Sequence, residues 1–128
     1  MDKDLAYGGV AGTVTNVQVF AGDAPIITEE AIVTSGNNLA KYTVVAKITA
    51  SGKIKAYTPG ASDGSQFPIG VLTQAADATS ADVRAAIYTS GFFNDAILVW
   101  PSNAACDTLI ERQALFAGKD IRIGTVRL

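Results

Sequence analysis

Thr43-Val44-Val45-Ala46-Lys47-Ile48-Thr49-Ala50-Ser51-Gly52-Lys53-Ile54-Lys55-Ala56-Tyr57 is the stretch that decides the fold. β-Branched side chains give up little freedom in extended backbone and pack well on a pleated surface. Val44, Ala46 and Ile48 recur at every second position, which places them on one side of a strand. Ala50-Ser51-Gly52 supplies a turn, and Lys53 to Tyr57 alternates again, with the lysines turned away from Ile54 and Ala56. Two alternating runs around a small-residue turn predict a β-hairpin. Lys53 and Lys55 read as the solvated face of its second strand.

The same signals extend outward in both directions. Ile26 to Thr34 is apolar and β-branched around Glu29-Glu30, and Ser35-Gly36-Asn37-Asn38 is a turn cluster. Thr58 to Gln66 is a loop rich in Pro, Gly, Ser and Asp. Ile69-Gly70-Val71-Leu72 reads as a short strand buried on both faces, and Ala75 to Asp82 as a second loop. Val83, Ala85 and Ile87 alternate with Arg84, Ala86 and Tyr88 in another strand, followed by extended pieces at Ser90–Asn94 and Ile97–Trp100. Pro101 holds Trp100 in extended backbone. Cys106, Leu109, Ile110, Ala114 and Ala117 recur at helical spacing, with Glu111 and Arg112 on the other side. Ser102, Asn103 and Asp107 are candidate N-caps, and Gly118 is a C-terminal stop. The chain ends in an alternating strand, with Ile121, Ile123 and Thr125 set against Arg122 and Gly124. The expected fold is mainly β with one short helix near the C-terminus, a β-clip-like arrangement or small partial barrel of short strands.

Composition agrees. Val, Ile and Thr number 34, against 25 for Leu, Met, Glu, Gln, Lys and Arg together, so the balance favours sheet. The 128 residues suit one domain. We divide them into an N-terminal arm, residues 1–25, expected to be flexible, and a β-rich domain, residues 26–128. The arm is punctuated by Gly8, Gly9, Gly12 and Gly22 and contains one extended run, Thr13 to Phe20. Thr15, Val17 and Val19 share one face of that run, and Val14, Asn16, Gln18 and Phe20 the other. Such a segment reads as a strand awaiting a partner.

Several function classes are disfavoured at this point. The net charge is −2, which gathers no polyanion, so no direct contact with nucleic acid is expected. Histidine is absent, which removes Ser-His and Cys-His nucleophile pairs and the commonest zinc ligand. A single cysteine, Cys106, permits neither an internal disulfide nor a multi-thiolate metal site. No apolar run reaches the roughly 20 residues of a membrane helix, and Met1-Asp2-Lys3-Asp4-Leu5 lacks a secretory pattern. No membrane partner, cofactor or metal is expected, and synthesis in a cytoplasm is the default.

Gly60-Ala61-Ser62-Asp63-Gly64 matches a nucleophile elbow in letters, but it lies in loop sequence and has no His to take a proton, so it reads as a turn. Gly8-Gly9-Val10-Ala11-Gly12 has the wrong glycine spacing for a dinucleotide fingerprint. Glu29 and Glu30 are adjacent in a strand and point to opposite faces, so they cannot share a proton. Cys106 reads as a small buried hydrophobe. Trp100, beside Pro101, reads as a core or subunit-packing anchor, with a sugar platform as the competing role. No catalytic constellation is present, which leaves a surface as the functional element.

From Asp63 to Ile123 the chain resembles the head decoration proteins of tailed bacteriophages. The matching stretches are Asp63-Gly64 with Pro68-Ile69-Gly70-Val71-Leu72, then Ala75-Ala76-Asp77-Ala78-Thr79-Ser80, Tyr88-Thr89-Ser90-Gly91-Phe92-Phe93 and Leu98-Val99-Trp100-Pro101, and finally Phe116-Ala117-Gly118 leading into Ile121-Arg122-Ile123. Phe20-Ala21-Gly22-Asp23-Ala24-Pro25 and Leu39 to Gly52 are similar to related members, while the N-terminal segment is longer and the end, Gly124 to Leu128, is extended. The resemblance implies a β-clip homotrimer on the outer surface of the expanded virion capsid, at or near threefold positions. There it would bind the major capsid protein and brace the shell against packaged DNA. It also implies that an N-terminal arm adds a strand to the capsid protein. Position and chemistry nominate Leu5, Tyr7, Val14, Val17, Val19 and Phe20 for that contact, and Trp100 and Pro101 for subunit packing. The alternative reading is a surface-exposed carbohydrate-binding or adhesion module.

Overall fold

The computed structural model describes residues 25–125. It is mainly β, with one α-helix near the C-terminal end. The strands are β1 (Ile27–Val33), β2 (Asn37–Leu39), β3 (Val44–Lys47), β4 (Ile54–Ala56), β5 (Pro68–Leu72), β6 (Ala76–Ala78), β7 (Val83–Asn94) and β8 (Ile121–Gly124), and the helix α1 is Leu109–Leu115. The hairpin that decides the fold is present: β3 and β4 pair antiparallel with Val45 opposite Ala56 and Lys47 opposite Ile54. Gly52 makes its turn at φ +74°, in the left-handed region that glycine enters without a Cβ clash.

Strand order is β1-β4-β3-β5-β7, and β7 pairs back onto β1, so the five strands close into a small barrel. The closure is uneven. β1 meets β4 only at Val33 opposite Ile54, whereas it runs antiparallel to β7 from Ile27 to Val33. The far end of β7 also takes β8 in parallel, with Gly91 opposite Ile121 and Asn94 opposite Gly124. β7 is long because residues 83–94 serve both the ring and this extension.

Alternation around the ring creates two cores. Val44 and Val71 face a cluster with Tyr57, Phe93, Leu98, Cys106, Phe116, Ile121 and Ile123. Their neighbours Val45 and Leu72 face a second cluster with Val33, Leu39, Ile54, Ala76, Ala78 and Ile87. A strand with a core on each side reads as a continuous apolar run, which is why β5 carried that signature. Gly70 is required by the same packing: a Cβ there would stand 2.5 Å from the Tyr88 carbonyl oxygen across the β5–β7 pair.

Several local expectations are corrected. Asn37 and Asn38 are strand rather than turn, because they pair with Ala78 and Asp77 of β6. β6 itself interrupts the expected loop at Ala75–Asp82, and its Ala76 and Ala78 are buried in the second cluster. Ser90–Asn94 is the second half of β7, and Asp95–Ile97 is a 3-10 turn capped by the Asn94 side chain. The expected strand face ending at Thr125 stops at Gly124.

The helix differs most. Cys106 belongs to a separate 3-10 turn, Ala104–Cys106, whose N-cap is Asn103. α1 starts after Thr108, which accepts from the Glu111 backbone N–H while the Glu111 carboxylate accepts from the Thr108 backbone N–H. This capping box restarts the helical phase, so Ile110, Ala114 and Ala117 face outward and Ile110 is 78% exposed. Leu109, Leu115 and Phe116 pack on the first cluster instead. Gly118 follows the helix at φ +80°, as expected of a helix stop.

Candidate docking surface

The nominated arm residues Leu5, Tyr7, Val14, Val17, Val19 and Phe20 lie outside the described residues. What the structure does define is the point from which that segment leaves the domain. The Ser90 hydroxyl, buried in the wall of β7, donates to the Pro25 carbonyl at 2.7 Å. Ser90 also stands opposite Ile27 in the β1–β7 ladder, where the register shifts between Ile27 and Thr28. Next to it Gly91 has φ +148°, and a Cβ on it would meet the Phe93 ring at 3.1 Å. The start of the domain is therefore fastened to the bend of β7.

Beyond that point β1 is poorly covered. Ile27, Thr28, Glu29, Glu30 and Ile32 are exposed, and Ile26 and Ile27 are each half exposed although they are large apolar side chains. Glu30 accepts from Arg84 at 3.3 Å and Glu29 from the Thr89 hydroxyl at 3.2 Å. The two adjacent glutamates thus take different partners, in line with their opposite faces. Ala31, Val83 and Ala85 on the inner face pack on the second cluster.

Trp100 and Pro101 sit at another corner, and both are half-buried. Trp100 meets Tyr57 and Phe116 edge-on, each with ring centroids 6.0 Å away. The Arg112 guanidinium lies 5.3 Å from its ring centroid. That cation is itself fixed by Asp95 Oδ2 at 2.9 Å and by the Cys106 carbonyl, to which Nε donates at 2.8 Å. Arg112 takes up one face of the indole, leaving less of it to a stacked sugar ring. A shallow groove of about 270 Å³ runs past Trp100 and Pro101 between Leu39, Ala56 and Val99. Arg112, read from the sequence as a solvent-side residue, is the organising group of this corner. Its role was hidden because the helical phase restarts at Thr108.

The groups that could have carried chemistry are occupied in turns. Ser62 is exposed in the loop between β4 and β5. Asp63 accepts from the hydroxyl and the backbone N–H of Ser65, and these bonds hold its carboxyl below the ordinary range. Asp77 is lowered in the same way by Thr79. Asp82 is lowered by its bond from Lys53, at 2.7 Å, and by the Ser35 backbone N–H. Lys53, expected on a purely solvated face, is thus engaged with Asp82 at the mouth of the β3–β4 hairpin. Cys106 is fully buried, its thiol donates to the Pro101 carbonyl at 3.3 Å, and burial pushes its pKa up. Among the described residues, no three His, Cys, Asp or Glu side chains come together as a metal site. Nor is any helix there long and apolar enough to cross a membrane.

The fold is a small closed barrel of short strands, and the carboxylates of Asp63, Asp77 and Asp82 are held in turns and at a strand pair. The particular family follows from comparison: the model of the bacteriophage lambda head decoration protein D family matches residues 11–121, and the chain belongs to that family. No individual curated protein matched the chain. Membership makes it a bacteriophage head decoration protein, a structural component associated with the virion capsid.

Proposed function

We propose that the protein is a cementing subunit: a homotrimer that binds the outside of the expanded head at or near threefold positions and braces it against the pressure of packaged DNA. The match to the head decoration family over residues 11–121 is the observation that carries this reading. The major capsid protein is its partner, and residues 1–25 are the capsid-binding arm, with Leu5, Tyr7, Val14, Val17, Val19 and Phe20 as contact residues. Trp100 and Pro101 contribute to packing between subunits, where the apolar groove beside them offers a complementary surface. We also take the β-clip description as part of this proposal. It does no covalent chemistry, in keeping with a chain that has no histidine.

The physical logic lies in multiplicity. One short arm must order its backbone to bind, so most of what it gains from strand pairing is offset. Three arms on one trimer make the second and third contacts effectively intramolecular. Tight binding then requires a shell that repeats the site with threefold geometry, which an unexpanded lattice would not present. The test is co-sedimentation with empty expanded capsids. The full chain is expected to saturate the capsids, and a chain lacking residues 1–20 is expected to stay folded and unbound. Full occupancy by the shortened chain would overturn the arm assignment, and failure of the full chain to bind would overturn the reading itself.

A further inference from the structure

We propose that the open edge of β8 is a strand-addition site for a short, extended, acidic segment of the major capsid protein. Among the described residues β8 is the last strand of its sheet and pairs only with β7. In that parallel register the Gly91 N–H donates to the Asp120 carbonyl, and Arg122 turns its own N–H and C=O towards β7. Ile121 and Ile123 therefore turn theirs away from β7. The Gln113 side-chain amide donates to the Ile123 carbonyl at 2.9 Å, which fits that direction. Among the described residues the Ile121 N–H and C=O and the Ile123 N–H have no partner, although both side chains are buried in the first cluster.

The edge lies along a groove of about 520 Å³ between the end of α1 and β8. Phe116 borders it on the helix side, and Phe92, opposite Arg122 across the β7–β8 pair, borders it on the other. Unpaired backbone beside an apolar groove suits an extended peptide, which gains affinity from main-chain bonds and selectivity from the space beside the strand. Charge then selects the peptide. Lys119 and Arg122 both line the groove and are exposed, and neither side chain has a hydrogen-bond or ion-pair partner among the described residues. No carboxylate lines it: Asp120 stands between the two cations in sequence but outside the lining, and Glu111 is engaged in the α1 cap. Acidic side chains flanking the added strand would complement both cations. The Gln113 amide already occupies the Ile123 carbonyl, so the new ladder ends there and the added strand is short.

The identity of the partner rests on the capsid reading, and the test uses the full chain with empty expanded capsids. Lys119→Glu/Arg122→Glu alters only exposed side chains, so its thermal unfolding should match the wild type. Its half-saturating concentration for the capsids should rise about tenfold or more, and that of Lys119→Gln/Arg122→Gln should rise less. Hydrogen exchange read residue by residue reports on the backbone: the amides of Ile121 and Ile123 should exchange more slowly in the bound chain, while that of Arg122, already paired with β7, should change little. The photo-crosslinking residue benzoylphenylalanine, placed at Ala117 on the rim of the groove, should capture an acidic stretch of the capsid protein. Unaltered affinity in both charge variants, equal exchange in free and bound chains, or crosslinks only to a second copy or within the chain would overturn the proposal and leave the capsid reading intact. A wild-type chain that does not bind the capsids at all would overturn both together.

Discussion

The Ser90 hydroxyl donates to the Pro25 carbonyl at 2.7 Å, across 65 positions of sequence, and so ties the start of the domain to the middle of its longest strand. Ser90→Ala removes the donor and leaves the Pro25 carbonyl without it. The expected loss is about 1 kcal/mol of stability, with the fold retained. Chemical denaturation of the variant checks the first part. On the capsid reading, a loosened exit should also weaken co-sedimentation with expanded shells.

Arg112 joins Asp95, the Cys106 carbonyl and the Trp100 ring, and the Arg112–Asp95 pair is mostly shielded from water. Arg112→Ala leaves a carboxylate behind at a site where Asp95 Oδ1 already has no partner among the described residues. A cost of roughly 2–4 kcal/mol is expected, slightly below that of a fully buried pair. Arg112→Lys should recover only part of it, because an ammonium cannot serve the carboxylate and the carbonyl with one planar fork. Thermal unfolding with near-ultraviolet dichroism of Trp100 reads both effects.

Gly70→Ala sets a methyl group against the Tyr88 carbonyl, where the backbone has no flexible neighbour to yield. The β5–β7 pair must spread, at an expected cost of roughly 1–3 kcal/mol. Gly36, whose Cβ position is open, provides a comparison in which only the backbone angle of +91° opposes alanine. If Gly70→Ala unfolds at the same denaturant concentration as the wild type, the close approach is not what holds glycine there.

The carboxyls of Asp63, Asp77 and Asp82 are held below their ordinary value of 3.8 by hydrogen bonds from Ser65, Thr79 and Lys53. The unfolded chain then binds protons more readily than the folded one at acid pH. Their contribution is present above the ordinary value and is lost as pH falls through the lower folded values. The melting temperature should fall between about pH 5 and pH 2, and it should fall less steeply in Asp63→Asn/Asp77→Asn/Asp82→Asn. An unchanged slope in that variant would mean that other groups govern the acid limb.

Much of the fold was legible because its signals are local. The β3–β4 hairpin, the doubly buried β5, the alternating β7 and β8 and the stop at Gly118 all follow from two-residue periodicity or a single turn residue. β2 and β6 were not legible: three residues such as Asn37-Asn38-Leu39 gain strand geometry only from a partner some forty positions away. The helix face was misread because the Thr108–Glu111 box separates Cys106 from α1, a signal that sits in the sequence as Thr-x-x-Glu. Of the site, Trp100 could be found from its chemistry and its place after an apolar run. Arg112, Ser90 and the bare edge of β1 could not, since each acquires its role only when distant segments meet.

β7 lines both apolar clusters, giving Ile87 to one and Phe93 to the other, while it also carries β1 on one stretch and β8 on the next. Melting of either half is therefore expected to disturb the other, because both pack on this one strand. Heating or pulling on the domain is expected to unravel it in one cooperative step.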